Sequence, residues 1–238
     1  IFCMAVRRGH DTARNHHLDA FLNGHVEHHQ ITFRDKQQET RGRVWRGRQE
    51  DIDHRIIGQV LNLTLGNTGD KAEGNRALGA PSLRNQQDWY LKRQLQQYRA
   101  GLRGSHPEDS YGMQMQAIAK TLPDEAAVDA VVAYIAGLGG KAAEATLEGN
   151  IKRGADYYSN LCGACHGPAA EGLDVLQAPA LAGVDDWYLM RQYQHFRDGL
   201  RGADEADKYG YQMAIMARHL SDEAVLTDVL SYIQSLAD

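Results

Sequence analysis

The stretch "LCGACHGPAAEG", residues 161–172, carries the only C-x-x-C-H of the chain, in Cys162, Cys165 and His166. Just before it, Ile151, Ala155, Tyr158 and Leu161 recur at helical spacing, so a short amphipathic helix runs straight into Cys162. Three chemistries use such letters. A zinc half-site needs further Cys or His ligands, and no second C-x-x-C closes a tetrahedron. A thioredoxin-like redox pair needs a βαβ setting, and no alternating strand pattern is found. Attachment of c-type haem needs two thiols to add across the vinyl groups and an adjacent imidazole to ligate iron. The observed spacing supplies all three on one haem edge, so Cys162, Cys165 and His166 are the predicted haem site.

Beyond Gly172 the chain repeats itself. A shift of 98 positions superposes "APSLRNQQDWYLKRQLQQYRAGLRG" (80–104) on "APALAGVDDWYLMRQYQHFRDGLRG" (178–202), with 15 identities in 25 positions. The same shift pairs "YGMQM" with "YGYQM" and "LPDEAAVDAVVAYIAGL" with "LSDEAVLTDVLSYIQSL". Two homologous helical units follow, joined near "GLGGKAAEA" (137–145). Leu226, Val229, Ile233 and Leu236 form one stripe, with Ser221 as the expected N-cap and Asp222 and Glu223 in the first turn. Trp187, Met190, Tyr193, Phe196 and Leu200 trace another helical face. The fold class is all-α.

The first copy departs from the second at one place. The shift sets Thr64, Asn67 and Thr68 opposite Cys162, Cys165 and His166, while "GDKAEG" (69–74) still matches "GPAAEG" (167–172). The first repeat therefore lacks covalent attachment, and one haem per chain is expected. An empty apolar pocket is costly, so this repeat is expected to collapse inward or to pack loosely.

Residues 1–60 hold seven of the eleven histidines and little apolar periodicity. His16, His17, His25, His28 and His29 suggest a metal-binding tract. Only His25 and His29 stand at i, i+4, however, so an irregular extension is the preferred reading. The chain opens with Ile, and "IFCMAV" is too short for the apolar region of a signal peptide. A processed or truncated chain is expected, its export signal lying outside it. Three cysteines do not make a paired framework. No apolar run is long enough to span a bilayer. A net charge of −5 argues against nucleic acid as a main partner. The charge is uneven: residues 141–238 carry 8 Lys and Arg against 15 Asp and Glu, a net of −7.

A haem iron takes a sixth ligand or stays open to a small molecule. Met190, Met213, Met216, His195 and His219 are the candidates. Under the 98-residue shift, Met213 alone meets its own kind, Met115, whereas the others meet Lys92, Ile118, Gln97 and Thr121. "YGYQM" reads as a Gly-containing loop before a helix, which separates Met213 from core-filling methionines. Met213 is the predicted ligand.

Helix, C-x-x-C-H, loop, "APAL", central helix, Met and C-terminal helix together make residues 148–238 resemble a class I cytochrome c domain. The paired "DWYL" and "GLRG" segments make residues 69–238 resemble the two-domain, dihaem cytochromes of the cytochrome c4 type. The first unit would be a degenerate copy. The resemblance implies residues 1–68 as an atypical extension, 69–140 as a repeat without haem attachment and 141–238 as the haem domain. It implies thioether bonds at Cys162 and Cys165, axial ligation by His166 and Met213, and the Pro179 carbonyl as acceptor for the proximal His. It also implies a periplasmic location. Trp187, Tyr188 and Arg201 recur as Trp89, Tyr90 and Arg103. Helix packing accounts for the aromatics or they wall the haem, and Arg201 is a propionate partner or a solvated charge.

The expected function is electron transfer through one His/Met haem c, with redox partners such as a terminal oxidase or a quinol-oxidising complex. Association with a membrane through such partners stays open. No nucleophile–base pair or paired carboxylates flank the motif, so no catalytic machinery is expected. The alternatives are a haem enzyme or gas sensor with an open sixth position, and a haem-bearing subunit of a larger dehydrogenase or oxidase.

Overall fold

The computed structural model describes residues 68, 69 and 71–237. Cys3, the histidine tract, Thr64 and Asn67 lie outside them. In the first repeat α1 spans Asp88–Ala100, α2 Ser110–Ala119 and α3 Glu125–Leu138. In the second, α4 spans Ile151–Leu161 and the single turn α5 spans Gly163–His166. Then follow α6 (Asp186–Arg197), α7 (Lys208–Ala217) and α8 (Glu223–Ser235). The described residues otherwise hold two short 3-10 turns and two isolated bridges, Asn75–Ala80 and Leu173–Ala178. The fold is all-α. None of the described helices is long and apolar enough to cross a membrane.

The two copies agree in detail. Asp109 accepts from the Gly112 amide at 2.8 Å and Asp207 from the Gly210 amide at 3.0 Å, each capping the equivalent helix. Ala72 and Ala170 are both fully buried with positive φ, 54° and 55°. A non-glycine residue is rare in that region. Each is locked by its carbonyl, which accepts from Leu83 at 3.0 Å and from Leu181 at 2.8 Å. The loop that follows the haem motif in the second repeat thus has the same backbone in the first.

In the second repeat α4 crosses α8 around Gly154. A Cβ there would strike the Asp228 carbonyl, so glycine sets how closely the two helices approach. Arg153 pairs with the buried Asp228, which also accepts from the Asn150 amide at 2.7 Å. Tyr158, Leu226, Val229 and Ile233 fill the core between them. Burying a Leu or Ile side chain contributes roughly 1.5–3 kcal/mol. The α8 N-cap is Asp222, not Ser221: its carboxylate accepts from the Ala224 and Val225 amides. A carboxylate satisfies two amides and complements the helix dipole, which a hydroxyl does less well.

The connection between the repeats is pinned. Asp186, fully buried at the start of α6, accepts from the Thr146 amide and hydroxyl at 2.6 Å each and from the Leu147 amide at 2.8 Å. Asn85 donates to the Lys141 carbonyl at 2.9 Å.

A polar seam joins α1 to α6. Arg103 donates to Gln94 at 2.6 Å, Gln192 at 2.8 Å and the Tyr188 hydroxyl at 2.9 Å. Arg201 mirrors it, donating to Gln192 at 2.7 Å, Gln94 at 2.8 Å and the Tyr90 hydroxyl at 3.1 Å. Arg103 is 5% exposed and Arg201 6%, so the solvated-charge reading of Arg201 is overturned. The bonds across the seam join residues 85 to 111 positions apart, so no local pattern announced them. Trp89 also crosses the seam, donating to Asp174 at 2.7 Å. Beneath the seam the first repeat keeps an open cavity of about 120 Å³.

Candidate functional site: the C-x-x-C-H turn

The amphipathic α4 ends where the chemistry begins. The Cys162 amide donates to the Tyr158 carbonyl, and the Cys162 carbonyl accepts from Cys165 at 3.1 Å and His166 at 3.0 Å. This tight turn carries both thiols and the imidazole on one short helical segment. Both thiols are free, Cys162 half-buried and Cys165 exposed. Tyr158, 1% exposed, locks the far side by donating to the Gly167 carbonyl at 2.6 Å. Burial pushes that phenol well above its ordinary range. The sequence stripe flagged Tyr158 as apolar and missed its hydroxyl.

The 2.8 Å contact between His166 Nδ1 and the Pro179 carbonyl oxygen orients the ring. A carbonyl only accepts, so Nδ1 carries the proton and Nε2 is left as a lone-pair donor. Burial holds the His166 pKa below its ordinary value, partly offset by the Pro179 bond. The ring is therefore neutral at neutral pH, the form a metal needs. Gly172 fixes the carbonyl's position, because at φ 77° a Cβ would strike the Pro179–Ala180 backbone. Its amide donates back to the His166 carbonyl at 2.8 Å.

The sixth-ligand candidates are dispersed. Met213 is half-buried and packs on the Phe196, Ala214 and Ala217 cluster. It lies inside α7, not in a loop before a helix. Asp207 caps the chain early enough to make the "YGYQM" segment helical. Met190 packs on the Tyr158–Leu226 cluster, as does Cys162. Met216 is 39% exposed, and His219 is exposed too. His195 Nδ1 faces Asp109 across the seam at 3.7 Å. Tyr193 touches both clusters. Burial, with the Cys162 thiol beside it, pushes its phenol up to about 12. It thus connects the cysteine side to the Met213 side, a role the sequence did not single out.

The donor set fits haem c. Burial, then Cys165, pushes the Cys162 thiol up to about 11, so it is a neutral thiol in the unmodified chain. Cys162 and Cys165 would carry the thioether links and His166 Nε2 would face the iron. The bound group would supply a one-electron Fe(II)/Fe(III) couple. Among the described residues no cluster of three or more His, Cys, Asp or Glu side chains is assembled, so no protein-only metal cage competes for these ligands.

Residues 151–237 match the family described as Cytochrome c. A curated protein of Stutzerimonas stutzeri, "Thiosulfate dehydrogenase electron acceptor", is 36% identical over 168 residues, 66% of this chain and 71% of that one. The chain belongs to the class I cytochrome c family. Haem-based electron transfer with covalently bound haem c follows from that membership. Among solved structures, reduced recombinant cytochrome c4 from Pseudomonas stutzeri superposes with a TM-score of 0.58 at 24% identity, over 76% of this chain and 96% of that one. Cytochrome c4 from Acidithiobacillus ferrooxidans gives 0.52 at 24%, over 65% and 87%. These two share the fold. A thiosulfate dehydrogenase (TsdBA) from Marichromatium purpuratum gives 0.55 at 28% identity over 71% of this cytochrome, which spans 35% of that chain.

Proposed function

We propose that this cytochrome is a carrier of single electrons that uses one haem c, bound through Cys162 and Cys165 and ligated by His166 and Met213. The observation that carries the reading is the His166–Pro179 contact at 2.8 Å, which leaves Nε2 as the free ring nitrogen on the turn that also carries the two thiols. Residues 141–238 are the haem-bearing unit, 69–140 a repeat without attachment, and 1–68 an extension. The role is electron transfer without catalysis, a reading supported by the similarity to a protein described as an electron acceptor. Bacterial relatives of this type support a periplasmic location, where covalent haem attachment is made.

The relative's description supports a donor: an enzyme that oxidises thiosulfate. Electrons would pass from it to the haem and on to a terminal oxidase. The test mixes the oxidised, haem-loaded chain with thiosulfate and a thiosulfate dehydrogenase and follows haem reduction by stopped flow. Reduction within enzyme turnover is expected. A haem that stays oxidised there but is reduced promptly by a quinol-oxidising complex would reassign the donor. A haem that binds carbon monoxide before any substitution would replace the carrier reading by one with an open iron.

A further inference from the structure

The helix that carries Met213 is held at its start by the other repeat. Asp207 caps α7 through the Gly210 amide, and the same Oδ1 accepts from Gln97 Nε2 at 2.6 Å. Gln97 lies in α1, 110 positions away in sequence, and both partners are buried. A second α1 side chain reaches the same turn: the Arg93 guanidinium lies over the Tyr209 ring, 5.0 Å from its centroid. Met213 stands less than one helical turn beyond Gly210, so whatever fixes the cap also fixes Met213.

The contact is more than packing. Gln97 is buried, yet its Oε1 has no hydrogen-bond partner. A buried orphan acceptor costs stability, and an apolar residue of that size would fill the position without it. Turning the amide over would set Oε1 against a carboxylate, so its orientation is fixed. The donor half of the amide, aimed at Asp207, accounts for the residue. The reciprocity of the seam also breaks here. A shift of 98 positions turns Gln97 into His195 and Asp207 into Asp109. The mirrored contact, His195 Nδ1 to Asp109 Oδ1, is 3.7 Å, beyond hydrogen-bond range. The seam thus ties down the helix with Met213 more closely than the equivalent helix with Met115.

We infer, on the proposed ligation by Met213, that Gln97 is a positioning residue for the haem site of the second repeat: its amide holds the Asp207 carboxylate and, through that cap, fixes the first turn of α7 and with it Met213. The repeat without attachment residues then has a task, which is to brace the ligand side of the repeat that has them.

The test uses the full chain with its covalent haem in place and oxidised, and follows imidazole binding by stopped flow. At saturating imidazole the rate reports how often Met213 releases the iron. Gln97→Met keeps the size and removes the donor to a carboxylate, and it should raise that limiting rate about ten-fold, which corresponds to about 1.4 kcal/mol. It should also weaken the near-infrared methionine-to-iron band. Gln97→Glu sets a second carboxylate against Asp207 and should raise the rate further. Gln96→Met removes a neighbouring α1 hydrogen bond, to Glu125 within the first repeat, and should leave rate and band unchanged. Met213→Leu, run alongside, should abolish the band and let imidazole bind without a limiting rate. Should either Gln97 variant fail to fold, Gln97→Asn, which shortens the reach of the same amide, takes its place with the same expectation of a faster release. A band that survives Met213→Leu overturns the ligation itself. Loss of the band in Met213→Leu with an unchanged limiting rate in Gln97→Met, or equal acceleration by Gln97→Met and Gln96→Met, overturns the brace alone.

Discussion

The Nη2 atom of Arg201 reaches across the seam to the Tyr90 hydroxyl, 3.1 Å away. Burial raises that phenol, but Arg201 and Arg103 more than offset it and leave Tyr90 below its ordinary value. The seam is thus electrostatic as well as steric. Gln94 and Gln192 are its shared points, because the Oε1 of each serves both guanidiniums. Gln192→Leu leaves two buried charges each short of a donor–acceptor pair, and hydrogen bonds to charged groups contribute about 1.5–3 kcal/mol each. A loss of about 3 kcal/mol in chemical denaturation is expected. A loss under about 0.5 kcal/mol, the range of ordinary surface changes, would mean that water satisfies the seam.

Asp228 gives the acid response a definite sign. Its hydrogen bond with Arg153 holds its carboxyl below the usual carboxylate range, aided by the Asn150 amide and opposed by burial. A folded pKa below the unfolded value of about 3.9 gives stability that is present above that value. The stability is lost as pH falls through the lower, folded pKa. Thermal midpoints of the unaltered protein should therefore fall more steeply below about pH 4 than those of Asp228→Asn. Parallel acid limbs would remove this carboxylate from the account.

Much of this was legible in the letters. The shift of 98 located α1 against α6, α2 against α7 and α3 against α8, and Cys162, Cys165 and His166 were named by spacing. The failures share a cause. Ser221 looked like a cap because hydroxyls commonly are, yet Asp222 offers two acceptor positions at once. "YGYQM" looked like a loop because of Gly210, which sits instead where the Asp207 cap needs a close, unhindered amide. Arg201 was open to a propionate or a solvated reading, and Gln94 and Gln192 were not singled out at all. They are buried because each satisfies a partner in the other repeat, information that no local window contains.

Covalent attachment is checked by extraction. With Cys162 and Cys165 in the only attachment motif, one haem per chain should survive acid–organic extraction, measured as haem per polypeptide. Cys165→Ala leaves a single thiol in the motif and should lower the yield of attached haem while far-ultraviolet helicity is kept. Two acid-stable haems per chain would require a second attachment site and contradict the reading of the first repeat as a copy without attachment.

The sixth ligand separates Met213 from its neighbours. Met213→Leu should abolish the near-infrared methionine-to-iron band of the oxidised protein, lower the potential and open the iron to carbon monoxide. Met216 is 39% exposed, so Met216→Leu should keep the band and change stability by less than about 0.5 kcal/mol. Met190→Leu alters packing beside Tyr158 and Cys162 and should cost less than about 1.5 kcal/mol with the band intact. Loss of the band in Met190→Leu or Met216→Leu alone would transfer the ligand role.

Partner encounter should carry the signature of charge. Residues 141–238 bear a net of −7, from 8 basic against 15 acidic side chains, so the half with the C-x-x-C-H presents a negative field. At physiological salt the Debye length is about 8 Å, which screens most exposed charges from a partner still approaching. Steering towards a basic patch should therefore make the second-order rate of haem reduction fall as salt rises, with little change in the rate at saturating partner. Lys208 and Arg218 are basic side chains on or beside α7, so Lys208→Glu and Arg218→Glu should speed the encounter at low salt and leave the visible spectrum unchanged. A second-order rate that is flat or rising between low and physiological ionic strength would show that the charge serves solubility rather than recognition.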